Sequence, residues 1–72
     1  MEDKLYLEML GKKIKNLRIE KSMHQVDLAD KIGIEDSALR RIESGRVNST
    51  INMLRKVANG LETDLKVLID ID

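Results

Sequence analysis

The chain has 72 residues, no cysteine, no proline and one histidine, and its 13 lysines and arginines balance its 13 aspartates and glutamates. This length predicts a single domain over residues 1–72, with a core between residues 7 and 69. The lack of cysteine excludes disulfides and thiolate metal sites, and one histidine does not make a zinc site, so we expect no metal and no cofactor.

Membrane insertion and secretion are also disfavoured by the sequence. The longest apolar run has three residues, Val67 to Ile69, whereas a membrane span needs about 20. The amino terminus is acidic, unlike that of a signal peptide. We therefore expect a soluble, cytoplasmic protein.

The neutral net charge hides an uneven distribution. Residues 12–56 contain eleven lysines and arginines against six aspartates and glutamates, a balance of +5, while residues 1–11 sum to −2 and residues 57–72 to −3. A basic centre with acidic ends suits a surface that contacts phosphates. A mixed, solvated surface is the alternative interpretation of the same charges.

Apolar residues at steps of three and four predict a first, amphipathic helix over about residues 7–20. They are Leu7, Leu10, Ile14 and Leu17. No proline interrupts this segment or any later one. Five helices are predicted in all, and we expect a compact all-α fold.

Two short helices separated by a glycine are predicted next. The apolar side chains of this segment are Leu28, Ile32, Ile34, Leu39 and Ile42. The second helix spans residues 25–32 and ends at Gly33, because glycine tolerates the positive φ of a reversing chain. The third spans residues 35–44 and ends in the same way at Gly45. This spacing is typical of a helix-turn-helix, whose later helix can lie in the major groove of DNA.

The fourth helix is expected to begin after Ser49 or Thr50, either of which can cap it through a hydroxyl group. Its inward residues are predicted to be Ile51, Leu54, Val57, Ala58 and Leu61. Residues 64–72 fit two patterns, because Leu65, Leu68 and Ile69 have helical spacing whereas Leu65, Val67, Ile69 and Ile71 alternate as in a strand. We favour a helix here.

The third helix has two unlike sides. Ala38, Leu39 and Ile42 fall on one side, and the polar residues Asp36, Ser37, Arg40, Arg41 and Ser44 fall on the other. A groove-reading helix requires an inner side held by a core and an outer polar side. The alternative is a helical bundle that does not bind DNA.

Short motifs over residues 10–69 carry a family resemblance. They are IKNLRIEK at 14–21, Gln25 with Leu28 and Ala29, KIGI at 31–34, RIESG at 41–45, and the trailing ML, KVA and GL at 53–61. The segment resembles the helix-turn-helix family of lambdoid phage repressors and Cro, which includes many bacterial regulators of the xenobiotic-response-element class.

The resemblance implies roles for six residues. Gln25 would begin the second helix and contact a phosphate or a base edge. The base-reading positions would be Asp36, Ser37 and Arg41. Arg18 and Glu43 would form a structural ion pair that ties the first helix to the third.

The chemistry of the outer side chains fits base reading. An arginine guanidinium group matches O6 and N7 of guanine, so Arg41 is the first candidate, with Arg40 as a second reader or a phosphate contact. Ser37 can donate or accept, and Asp36 can accept from the amino group of cytosine. Backbone contacts with DNA are expected from Lys13, Arg46, Asn48 and Thr50.

Four residues depart from the family pattern, namely Glu35, Asp36, His24 and Ser49, the last of which replaces a common proline. Glu35 and Asp36 place two carboxylates where Ser, Thr or Gln are commoner. Carboxylates repel phosphates but suit the start of a helix dipole, so capping and base reading both stay open. His24 stands where Ser or Thr usually caps the second helix, so we expect a weaker cap there.

Together these features predict a sequence-specific regulator that binds double-stranded DNA, most simply a repressor, and not an enzyme. One helix-turn-helix reads few base pairs, so we expect a homodimer on a palindromic operator. The dimer contacts are expected near the surface at Leu65, Leu68, Ile69 and Ile71. The alternative is an antitoxin-like protein-interaction module whose DNA binding is secondary. No small-molecule ligand is expected.

Overall fold

The computed structural model describes residues 2–71, which form five α-helices. They are α1 at Asp3–Glu20, α2 at Gln25–Ile32, α3 at Asp36–Glu43, α4 at Ile51–Gly60 and α5 at Leu65–Ile69. The all-α prediction is therefore confirmed. No strand is present within residues 2–71, so the segment that fitted two patterns is a helix followed by extended chain.

The predicted helix boundaries hold to within a residue or two, except at the start of α1 and at the end of α5, which stops at Ile69. Helix α1 begins at Asp3 rather than at residue 7. Leu5 in the first turn is exposed, so the apolar stripe that packs on the core begins only after this turn. The turn is helical nonetheless, because the N–H of Tyr6 donates to the carbonyl of Glu2 at 3.0 Å. The helix thus extends beyond the apolar pattern that predicted it.

The main helix contacts form a closed ring in the order α1, α3, α2, α4, α5 and back to α1. Eleven apolar residues inside this ring are buried, namely Leu10, Ile14, Leu28, Ala29, Leu39, Ile42, Leu54, Val57, Ala58, Leu61 and Leu68. Each helix therefore packs against two others, and α3 is held between α1 and α2. Burial of one leucine or isoleucine side chain contributes about 1.5–3 kcal/mol to folding.

A glycine at the end of α2 makes the turn of the helix-turn-helix. Gly33 has a φ of +75°, and the N–H of Ile34 donates to the carbonyl of Ala29 at 3.0 Å. Gly45 has a φ of +76° beyond the end of α3. Both predicted chain reversals are confirmed, and the first of them sets the direction in which α3 leaves α2.

A third glycine, Gly11, lets α1 approach α3 closely. Gly11 is buried, and a Cβ atom built on it would lie 2.3 Å from the carbonyl oxygen of Glu43 and 2.7 Å from that of Ile42. Any side chain there would push the carboxyl end of α3 away from α1. Nothing in the local sequence predicts this constraint.

Two predictions about burial are wrong. Ile51, expected to face inward, is 58% exposed, because it is the first residue of α4 and precedes the turn that packs on the core. Leu68, expected near the surface, is fully buried, because α5 packs between α1 and α4. The other inward residues predicted for α4 are buried.

Among the described residues, no helix has both the length and the apolar character needed to cross a membrane.

Candidate nucleic-acid interface

The outer side of α3 is exposed over its whole length. Leu39 and Ile42 are buried on its inner side, Ala38 is half-buried, and the five polar side chains predicted to face outward are exposed. The hydroxyl group of Ser44 donates to the carbonyl of Arg41 at 3.1 Å, which satisfies one carbonyl at the end of the helix. The two-sided character predicted for this helix is confirmed.

Three arginines meet on this surface. Arg40, Arg41 and Arg46 line a shallow hollow of about 240 Å³ together with Ser37 and Ser44. We call these five residues the arginine hollow. Guanidinium groups match phosphate and guanine acceptors in a fork geometry, and serine hydroxyls can donate or accept. The hollow is therefore chemically suited to the edges and backbone of a nucleic acid.

The two adjacent arginines of α3 differ in their partners. The Nη2 atom of Arg40 lies 3.4 Å from Oδ2 of Asp36, one turn earlier on the same helix. Within residues 2–71, no carboxylate oxygen lies within 4.0 Å of a nitrogen of the Arg41 side chain. Arg41 is thus the arginine of α3 whose charge is not offset by a direct partner.

The predicted ion pair between α1 and α3 is present. Nε of Arg18 donates to Oε2 of Glu43 at 2.8 Å, and Nη2 donates to Oε1 at 3.1 Å. The side chains are 9% and 3% exposed, and Nη1 of Arg18 also donates to the carbonyl of Met23 at 2.7 Å. This bidentate pair fixes α3 relative to α1 and to the turn before α2.

Gln25 joins the same network. Its Nε2 atom donates to Oε1 of Glu43 at 3.0 Å, and the residue is half-buried at the start of α2. Its second amide hydrogen has no protein acceptor in the part of the chain that the structure describes. The position at the beginning of a helix and the free hydrogen both suit the predicted contact with a phosphate or a base edge.

The start of α2 carries a bond that the sequence interpretation missed. The backbone N–H of His24 donates to Oδ2 of Asp27 at 2.9 Å. A carboxylate three residues into a helix often makes this contact, which is one half of a capping box. Asp27 therefore supports the start of α2 at His24. The prediction of a weaker cap considered only the side chain of His24.

Glu35 immediately precedes α3 and makes no side-chain capping bond to it. Its carboxylate is exposed, and in residues 2–71 no Lys or Arg nitrogen lies within 4.0 Å of it. Of the two carboxylates at this helix start, Asp36 therefore has an arginine partner and Glu35 has none.

The predicted backbone contacts divide into two groups. Arg46, Asn48 and Thr50 are exposed in the connection from α3 to α4, and Thr50 caps α4 by accepting the N–H of Met53 at 3.1 Å. Lys13 lines a separate hollow with Met9, Lys12, Asn16 and Ile71. Because Lys13 is two positions from Gly11, which faces α3, its side chain lies on the opposite side of α1. The structure does not bring Lys13 to the arginine hollow.

Of the four predicted dimer contacts, three are partly accessible. Leu65, Ile69 and Ile71 are half-buried, whereas Leu68 belongs to the core. Exposed Ile51 was not among the candidates and lines a cleft of about 390 Å³ with Tyr6, Leu7, Ser49 and Ile69, among others. Its place as the first residue of α4 could have predicted that its side chain is exposed.

Tyr6 was also missed by the sequence interpretation. Its hydroxyl group donates to the carbonyl of Ile69 at 3.0 Å and joins the start of α1 to the end of α5. In the part of the chain that the structure describes, no group of three His, Cys, Asp or Glu side chains is placed to hold a metal ion.

Similarity to known proteins agrees with this geometry. The chain is 36% identical over 63 residues to the HTH-type transcriptional regulator SinR of Bacillus subtilis, covering 86% of this chain and 57% of that protein. It is 33% identical over 60 residues to the immunity repressor protein of Bacillus phage phi105, covering 83% and 42% respectively. The chain thus spans about half the length of these two relatives.

A solved structure matches over nearly the whole domain. It is the tetramer of the restriction-modification controller protein C.Esp1396I in complex with its natural 35 base-pair operator. The TM-score is 0.82 at 34% sequence identity, and the match covers 90% of this chain and 86% of that one. The family model described as helix-turn-helix matches residues 14–68, which include α2, α3 and the arginine hollow. The chain therefore belongs to the helix-turn-helix family.

Proposed function

We propose that this chain is a transcriptional regulator that binds double-stranded DNA in a sequence-specific manner, most simply a repressor that occupies an operator. The observation that carries the proposal is the outer side of α3, where Arg41 stands exposed and without a carboxylate partner in the described residues. The ring of helix contacts holds this side outward. An arginine so placed can make a bidentate contact with guanine.

The residues proposed to contact bases are Ser37, Arg40 and Arg41. Asp36 lies beside Arg40 on the same side of α3. Gln25, Arg46, Asn48 and Thr50 are proposed to contact phosphates, with Gln25 oriented by its bond to Glu43. The relative C.Esp1396I is bound to its operator in the solved complex, and two other relatives are a regulator and a repressor by name. These relationships support the same role for this chain. We propose no enzymatic activity.

We further propose that the protein acts as a homodimer on a palindromic operator. An eight-residue α3 reads only a few base pairs, so two copies are needed for useful specificity, with half-sites about 34 Å apart. The proposed dimer contacts are Leu65, Ile69 and Ile71, which are partly accessible. Such a regulator acts where bacterial DNA lies, in the cytoplasm.

Selection of bound duplexes from a random pool tests the proposal. The wild type is expected to enrich one palindromic motif. Replacement of Arg41 by Ala should weaken binding to that motif about 5- to 150-fold, because one bidentate base contact is lost. The matched control is Lys56→Ala, which removes the same charge from a separate hollow formed by α2 and α4.

Lys56→Ala should weaken binding far less and leave the selected motif unchanged. Equal losses from both variants would show that only net charge matters. Failure of the wild type to enrich any motif at low salt would contradict the proposal and favour the protein-interaction alternative, for which a pull-down of a bound partner is the direct measurement.

A further inference from the structure

We propose that Asp36 is a positioning residue for Arg40, and that it raises sequence specificity by orienting this arginine rather than by touching a base itself. The inference rests on the proposed function and deepens it. It concerns only the outer side of α3, where a carboxylate and two consecutive arginines occur within six residues.

The geometry separates the two arginines. The contact between Oδ2 of Asp36 and Nη2 of Arg40 spans 3.4 Å and joins residues one helical turn apart. It draws the guanidinium group of Arg40 toward the first turn of α3. Arg41 points from the next position on the helix and has no such contact within residues 2–71. The guanidinium group of Arg40 is therefore oriented by a carboxylate, whereas that of Arg41 is not.

The contact changes what Arg40 can do at a DNA surface. A guanidinium group has five N–H donors, and one nitrogen is directed at Asp36, so the remaining donors are presented in a restricted orientation. The neighbouring carboxylate also offsets the charge of Arg40, which weakens its attraction to any phosphate. Binding to all sequences falls, while a directed contact with a base edge is retained, so the ratio of specific to non-specific affinity rises.

Both side chains remain largely in solvent, at 52% exposure for Asp36 and 62% for Arg40. An exposed pair of this kind contributes little to folding stability. Its removal therefore leaves the domain folded, and changes in DNA binding can be measured without a stability correction.

Glu35 offers a matched control. It is the adjacent carboxylate at the same helix start, it is exposed, and it has no Lys or Arg nitrogen within 4.0 Å in the described residues. Glu35→Gln removes one negative charge near the DNA surface without releasing an arginine. Asp36→Asn removes the same charge and also releases Arg40.

The experiment compares the wild type, Asp36→Asn and Glu35→Gln. Affinities are measured for the selected operator and for a random duplex of equal length, over a range of salt concentrations. Glu35→Gln should strengthen binding to both duplexes equally and leave their affinity ratio unchanged. Asp36→Asn should lower that ratio at least about fivefold, the smaller end of the value of one oriented base contact.

Salt dependence provides a second readout. If released Arg40 contacts a phosphate, the slope of log affinity against log salt for the random duplex should steepen by about 0.9 beyond the Glu35→Gln value. The same Asp36→Asn change in an Arg40→Ala background should leave the ratio unaltered, because no arginine remains to be oriented.

The outcomes are distinguishable. Equal effects of Asp36→Asn and Glu35→Gln on the ratio would overturn the inference, since charge alone would account for both. An Asp36→Asn effect that persists in Arg40→Ala would also overturn it and would make Asp36 a base reader. Both of these outcomes require that the wild type binds the selected operator more tightly than the random duplex. A wild type that binds every duplex equally would instead refute the proposed function itself.

Discussion

The buried pair of Arg18 and Glu43 allows a quantitative test of how α3 is held. Replacing Arg18 by Met removes both donors at 2.8 and 3.1 Å and leaves a carboxylate that is 3% exposed with Gln25 as its remaining partner. Breaking a buried ion pair from one side costs about 3–5 kcal/mol. Replacing Glu43 by Leu leaves the guanidinium group with only the Met23 carbonyl, and the expected cost is similar.

These losses are large for a domain of this size. A chain of 72 residues has a total unfolding free energy of about 4–11 kcal/mol, so either single variant should lose a major part of it. Each kcal/mol corresponds to about 4–8 °C in Tm for such a domain. The double variant Arg18→Met with Glu43→Leu removes both charges and keeps apolar volume, and we expect it to be near the wild type or more stable.

Urea unfolding followed by far-ultraviolet circular dichroism measures all four proteins, provided that the m-value stays constant. The expected result is a coupling free energy of about 3 kcal/mol or more between the two sites. Single variants that each lose under about 1 kcal/mol, or a double variant whose loss equals the sum of the singles, would refute the account of a desolvated pair.

Two further predictions concern packing and the chain ends. Gly11→Ala should lower the free energy of unfolding by about 3 kcal/mol, because the added Cβ would collide with the Glu43 carbonyl. Gly33→Ala should lower it by about 1–2 kcal/mol, because alanine is strained in the left-handed conformation, although its Cβ would have no neighbouring atom within 4 Å. Urea unfolding of both ranks them, and a reversed order would mean that the close approach of α1 to α3 does not set the cost at Gly11. Tyr6→Phe should lose about 0.5–1.5 kcal/mol and speed amide exchange in α5, because the 3.0 Å bond to Ile69 is removed. Unchanged exchange would argue that this bond does not hold α5.

Several features of the site were predictable because they depend on local spacing. The period of apolar residues placed Leu39 and Ile42 inward, and the polar residues of α3 outward. The positive φ at Gly33 follows from what glycine alone tolerates at low cost. The pair of Arg18 and Glu43 came from the family resemblance, since 25 positions separate the two residues and no periodicity relates them.

Other features depended on contacts between distant segments. Residues Leu68 and Ile51 have apolar side chains of similar size, yet one is buried and the other is 58% exposed. The difference comes from where α5 packs and where α4 begins. Lys13 is one of the predicted DNA-backbone contacts, and only the structure shows that it lines a hollow separate from the arginine hollow.

The sequence was sufficient to predict the first four helices, the helix-turn-helix and the polar outer side of α3, because helical periodicity and glycine turns act over only a few residues. For residues 64–72 its pattern fitted both a helix and a strand, and the structure shows α5 there. Three contacts could be seen only in the folded protein. The end of α3 packs closely against Gly11, and Tyr6 joins α1 to α5. Gln25 and Arg18 both bind the carboxylate of Glu43. These contacts join residues far apart in the chain, and their distances are set by how the ring of helices closes.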